Sequence, residues 1–259
     1  MGTTAILFDL DDTLVLDGEA ATQAFLATCA RAHERYGVDV VALHETVRRQ
    51  ARGFWHASRT AAYARALGMS SWEGLWARFL GDDPRLAALR EWAPEYRRRA
   101  WNRALEEHGI RNPAFAEELA EIFGAERRAR HALFPDVEDV LKEVHGKYEL
   151  ALVTNGLADH QQEKLCGAGL ADHFDVVVIS GEIGAAKPDR RIFNHALRRL
   201  GAPPQEAVMV GNSLQRDIVG AQAAGIRGVW LNRQRKDCEG DVTPDVQIAT
   251  LKELTCVIE

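Results

Sequence analysis

The 259-residue sequence predicts an α/β protein: a doubly wound, Rossmann-like parallel-sheet core with an all-helical second domain inserted into it. Three observations predict this. An apolar run at 5–8 ends in two acids, Asp9 and Asp11. From residue 148 onward, short apolar runs alternate with helical patterns at regular intervals. Between these regions, residues 18–131 contain no convincing strand and are rich in Ala, Arg, Leu, Glu and Trp.

The elements follow in order. The run Ala5-Ile6-Leu7-Phe8 reads as a short buried strand of a parallel sheet. Residues 18–131 read as packed helices, punctuated by Gly53, Gly68, Gly81, Pro94, Gly109 and Pro113. Leu133-Phe134-Pro135-Asp136 marks the return to the core, with a helix over 137–144. Strands are then expected at 148–154, 174–180, 207–210 and 226–231, with helices at 159–168, 190–200 and 215–224 between them. Gly225 is a natural helix stop. The stretch 233–244 is polar and reads as loop. The domains are therefore 1–17 with 132–259 for the core and 18–131 for the helical insertion.

Composition narrows the function classes. A net charge of −6 gives no support for a nucleic-acid surface. No stretch is long and apolar enough to span a bilayer. The N-terminal apolar run has no basic region before it and is broken by Asp9, so it does not read as a signal peptide. Cys29, Cys166, Cys238 and Cys256 are far apart and form no Cys-x-x-Cys pair. They read as free thiols in a reducing cytosol, which predicts a cytoplasmic protein.

The segment Asp9-Leu10-Asp11-Asp12-Thr13 carries the strongest chemical signal. Ligands in open α/β folds bind at the carboxyl ends of the strands, and both acids lie there. Two carboxylates this close repel unless a cation or proton lies between them. The arrangement suits a Mg²⁺ site with a nucleophile and a general acid/base. The plain alternative is an acidic strand-to-helix loop with Asp12 or Thr13 as a cap.

Three further segments fall at the ends of later strands: Thr154-Asn155-Gly156, the loop reaching Lys187-Pro188, and Gly211-Asn212-Ser213 with Asp217 five residues beyond Asn212. The four together, in order, resemble the haloacid dehalogenase superfamily of phosphohydrolases. The resemblance covers the whole sheet domain, and the insertion resembles the helical cap of one branch. It implies that Asp9 attacks phosphorus and that Asp11 protonates the leaving alcohol, then activates water. It implies that Thr154, Asn155 and Lys187 bind the phosphate, with Lys187 neutralising the crowd of anions. Only six of the 32 Lys and Arg residues are lysines, so a lysine at this position favours a specific role. Mg²⁺ is expected on Asp9, the Asp11 carbonyl, Asn212 and Asp217, directly or through water or Lys187. Asn212 departs from the commonest family form, which has Asp, and brings no charge.

The expected reaction is hydrolysis of a small phosphate monoester, a sugar phosphate or nucleotide-like metabolite. Asp11 weighs against dehalogenation, because the family's dehalogenases lack this second acid. A phosphomutase stays open, as does a non-catalytic binding protein weakened at Asn212. In the insertion, Arg48 and Arg52 share a helix face, and Arg52 is the candidate contact to the leaving group, with Trp55 stacking beside it. The plainer reading is a solvated basic face over a packed Trp. Trp72, Trp76, Trp92 and Trp101 read as packing residues, and 126–131 as a charged helix face. The partner is a small molecule, with no nucleic acid and no membrane; a homodimer is left open.

Overall fold

A computed structural model describes residues 2–238 and 242–258. Residues 239–241, within the stretch read as loop, lie outside them. The chain divides into two compact units, Met1–Leu16 with Ala132–Glu259, and Asp17–His131.

The first unit holds β1 (Ala5–Phe8), β2 (Glu149–Thr154), β3 (Val176–Ile179), β4 (Ala207–Gly211), β5 (Arg227–Leu231) and β6 (Val246–Ile248). They form one parallel sheet in the order β3-β2-β1-β4-β5-β6. The strand order reverses between β1 and β4, so the carboxyl ends of these two strands flank the crevice where open α/β sheets bind ligands. β6 is an addition to the sequence expectation. Three residues on a sheet edge are too few to show a period.

In chain order the helices are α1 (Asp17–Tyr36), α2 (Val40–Ala57), α3 (Ala62–Ala66), α4 (Ser71–Gly74), α5 (Pro84–Glu107) and α6 (Pro113–Arg128), followed by α7 (Val137–Val144), α8 (Ala158–Gly167), α9 (Ser180–Ile183), α10 (Arg190–Leu200), α11 (Val219–Ala223) and α12 (Leu254–Ile258). Side chains alternate across each strand. Ile6, Phe8, Leu150, Leu152, Val208 and Val210 join the layer containing α7 and α12. Leu7, Val153, Val178 and Met209 join the opposite layer, against Ile192 and Phe193 of α10. Both faces are buried, which is why the strands read as continuous apolar runs. The helix expected over 215–224 is split: a π-type turn at Leu214–Ile218 runs into α11.

The second unit is helical, with α1, α2, α5 and α6 packed on one another. Asp39, Asp83 and Asn112 cap α2, α5 and α6 through their side chains, and Pro84 and Pro113 occupy the first turns that follow. Two expected breaks are not breaks. Gly53 lies inside α2 and Pro94 inside α5. An interior Pro costs roughly 3 kcal/mol, and the packing of a 24-residue helix against α2 and α6 outweighs it. Trp55, Trp76 and Trp101 are fully buried, and Trp92 stacks on Tyr96 at 4.6 Å. Trp55 is buried and packs against Trp92 and Tyr96, as the plainer reading of a packed Trp expects. The 126–131 segment is also no simple solvated face. Arg127 is buried in an ion pair with Asp17, and Arg128 donates to the Trp76 carbonyl.

Candidate active site

The site begins where β1 ends. Asp9 continues the ladder by donating its N–H to the Val210 carbonyl at 3.0 Å. The chain then reverses instead of staying extended. Leu10 O accepts from the N–H groups of Thr13, Leu14 and Val15, and Asp12 adopts a left-handed φ of 58°. The reversal lets Thr13 donate its hydroxyl hydrogen to Asp9 Oδ2 at 2.9 Å. It also brings Asp11 close enough to push the Asp9 carboxyl up. Thr13 O is tied in turn to Arg233, which holds Asp136 through two bonds of 2.8 Å.

Lys187 reaches the same carboxylate from the loop after α9. Its Nζ lies 2.6 Å from Asp9 Oδ1, 2.7 Å from Asp217 Oδ1 and 2.8 Å from the Val153 carbonyl. Those three partners match the three donors of an ammonium. Burial works against the Lys187 charge, but Asp217 and Asp9 outweigh it and hold its pKa above the ordinary lysine value. Burial pushes Asp9 up from 3.8 to about 6, with Lys187 pulling the other way and Asp217 adding to the rise.

β2 delivers Thr154 and Asn155. Thr154 Oγ1 accepts from Gln161 Nε2 at 2.6 Å, which leaves its own hydrogen to donate elsewhere. The Asn155 side chain is committed to the Lys187 loop: Nδ2 donates to Lys187 O at 3.0 Å, and Oδ1 accepts from Lys187 N at 2.8 Å. A substrate contact from Asn155 must therefore come from its main chain.

β4 delivers Gly211 and Asn212. A Cβ on Gly211 would stand 2.4 Å from the Asp217 carboxylate, so only glycine allows that acid its place beneath Lys187. Asp217 Oδ2 also accepts from Ser213 N at 2.9 Å. Asp217 is thus in contact with Lys187 and with the turn after β4. The Asn212 N–H donates to Thr13 Oγ1 at 3.2 Å, and its carbonyl accepts from Trp230 Nε1 at 3.0 Å. Its Oδ1 is buried and has no hydrogen-bond partner among the described residues. An orphaned buried carbonyl is costly unless something ligates it. With the Asp9 carboxylate and the Asp11 carbonyl, it makes an all-oxygen donor set that suits a hard divalent cation.

Arg52 belongs to the helical unit, where it is exposed on α2. The sequence reading missed three residues. In the sequence Thr13 reads only as a cap. Gln161 and Lys164, both buried on α8, bond to Asp11. The scarcity of lysine and the three-residue spacing of Gln161 and Lys164 on a predicted helix were the available signals.

Comparison with known proteins gives a consistent picture. The profile of the haloacid dehalogenase-like hydrolases matches residues 3–225. A phosphoserine phosphatase of Thermus thermophilus is 42% identical over 250 residues, covering 96% of each chain. Among solved structures, a HAD hydrolase of Bacillus subtilis bound to magnesium superimposes with a TM-score of 0.68 at 22% identity, covering 100% of this chain and 99% of that one. A 2-haloacid dehalogenase of Pseudomonas syringae superimposes with a TM-score of 0.56 at 31% identity, covering 98% and 97%.

Proposed function

Because the chain belongs to the haloacid dehalogenase-like hydrolase family, we propose that it hydrolyses small phosphate monoesters through Asp9, with free phosphoserine the first substrate to test. The observation that carries this reading is the convergence of Asp9, Lys187, Thr154 and Asp11 at the carboxyl ends of β1, β2 and β3. The phosphoserine phosphatase that matches nearly the whole chain supports the substrate.

An Asp9 oxygen attacks phosphorus, and the bond from phosphorus to the ester oxygen breaks. Asp11 gives its proton to the departing alkoxide, which leaves as an alcohol. Water then attacks the aspartyl-phosphate, Asp11 takes a proton from it, and inorganic phosphate leaves with Asp9 restored. Lys187 and Thr13 bond opposite oxygens of Asp9 and fix the orientation of the carboxylate. Thr154 directs its remaining hydroxyl hydrogen to a non-bridging phosphate oxygen. Mg²⁺ held by Asp9, the Asp11 carbonyl and Asn212 would supply charge neutralisation for the incoming phosphate. Arg52 remains the proposed contact of the helical unit to the leaving group.

The 2-haloacid dehalogenase likeness raises the alternative of attack on carbon. Departure of a halide needs no proton, so Asp11 and its hydrogen-bonded setting favour the ester. The test is phosphate release from phosphoserine, other alkyl phosphates and an aryl phosphate, with Mg²⁺ and with chelator, beside halide release from a 2-haloacid. Mg²⁺-dependent phosphate release is expected. Halide release without phosphate release would overturn the reading.

A further inference from the structure

Two polar side chains on α8 are buried to 1% exposure, although no step of the proposed reaction calls on them directly. Gln161 and Lys164 are three residues apart and so share a helix face. Lys164 Nζ donates to Asp11 Oδ1 at 3.0 Å and to Oδ2 at 2.9 Å. Gln161 Nε2 donates to Asp11 Oδ2 at 3.0 Å and to Thr154 Oγ1 at 2.6 Å. A buried ammonium is tolerated only when it is well paired, and Leu165 on the same helix shows that apolar residues serve its packing. The lysine at 164 is thus committed to polar partners, Asp11 among them, and not to the apolar core.

Asp11 needs such a support. It lies inside a tight reversal, its side chain is about a quarter exposed, and Asp12 beside it has a left-handed φ. The three hydrogen bonds from α8 fix both oxygens of the carboxylate. They also join it to Thr154, so that the acid and the phosphate-binding hydroxyl are set by one helix.

Resting on the reading above, we propose that Lys164, together with Gln161, is a positioning residue that holds Asp11 where it exchanges its proton with the leaving oxygen. The role acts through Asp11, so it carries the signature of a general acid: dependence on the leaving group. A poor alkoxide needs the proton, whereas an aryl oxide leaves without it. The ratio kcat/KM reports the first step, in which the ester bond breaks.

The experiment measures kcat/KM for an alkyl phosphate and for 4-nitrophenyl phosphate in the parent, Lys164→Met, Gln161→Met, Asp11→Asn and the Asp11→Asn/Lys164→Met double variant. Circular dichroism and thermal melts confirm that each is folded. General-acid contributions run to about 10²–10⁴-fold, and loss of positioning should remove part of that. Lys164→Met is expected to lower the alkyl value about 10–100-fold and the aryl value less than about threefold, with a smaller loss of the same kind in Gln161→Met. In the Asp11→Asn background, Lys164→Met should cost nothing further. Equal losses on both esters, or a full additional loss in the double variant, would overturn the positioning role. If Asp11→Asn itself shows no leaving-group dependence, the acid assignment fails first. If it does and Lys164→Met does not, only the present inference fails.

Discussion

Lys187 Nζ lies 2.7 Å from Asp217 Oδ1, and both side chains are almost wholly buried. The pair joins the loop after α9 to the turn after β4 beneath the attacking carboxylate. Asp217 offsets part of the ammonium charge, so Asp9 keeps a partner without being fully neutralised. Gly211 makes room for this acid.

Removing Asp217 takes one of two carboxylates from a buried ammonium that keeps Asp9, so the loss is smaller than that of breaking an isolated buried pair. Asp217→Asn should therefore lower stability in chemical denaturation by roughly 1–3 kcal/mol, the range of a hydrogen bond to a charged group, and reduce turnover as well. A fully stable variant with parent-like activity would show that Asp9 alone satisfies Lys187.

Asp9→Asn should abolish turnover and stabilise the fold at neutral pH. Burial pushes the Asp9 carboxyl from 3.8 up to about 6. A carboxyl raised in the folded state weakens the fold where it is ionised: the penalty is absent below about 4 and complete above about 6. Melting curves in chelator should place the variant above the parent at neutral pH, with the gain vanishing as the pH falls below about 4. A variant that melts lower at neutral pH would mean that the lost Lys187 bond outweighs the relieved burial.

Asn212→Asp should lower the Mg²⁺ concentration giving half-maximal phosphatase activity. A charged ligand holds a cation better than a neutral one, and the orphaned Asn212 Oδ1 marks the position. The maximal rate need not rise, since the added charge also faces the substrate phosphate. An unchanged midpoint in a Mg²⁺ titration would place Asn212 outside the metal's ligands.

The fold class was legible because each core strand is a short apolar run followed by a helical pattern. Asp9, Thr154, Lys187 and Asn212 stand out for the same reason: each lies at, or in the segment beyond, the carboxyl end of a strand. Thr13, Gln161 and Lys164 do not stand out, because their part depends on what they meet across the unit. On a helix, Gln161 and Lys164 look like solvated positions until their burial is known. Gly53 and Pro94 misled because local propensity predicts breaks that long-range packing overrides. Trp55 follows its plainer reading: it is packed against Trp92 and Tyr96 inside the helical unit.

In the proposed reaction phosphate passes through Asp9. In Asp11→Asn an aryl phosphate can still phosphorylate Asp9, because its leaving group needs no proton, while the water step is slowed. Acid quench of that variant during turnover, followed by mass spectrometry of its peptides, looks for the covalent intermediate itself. A phosphate adduct is expected on the peptide bearing Asp9, absent when Asp9→Asn is added. Phosphate release with no adduct on that peptide, or an adduct that survives Asp9→Asn, would contradict it.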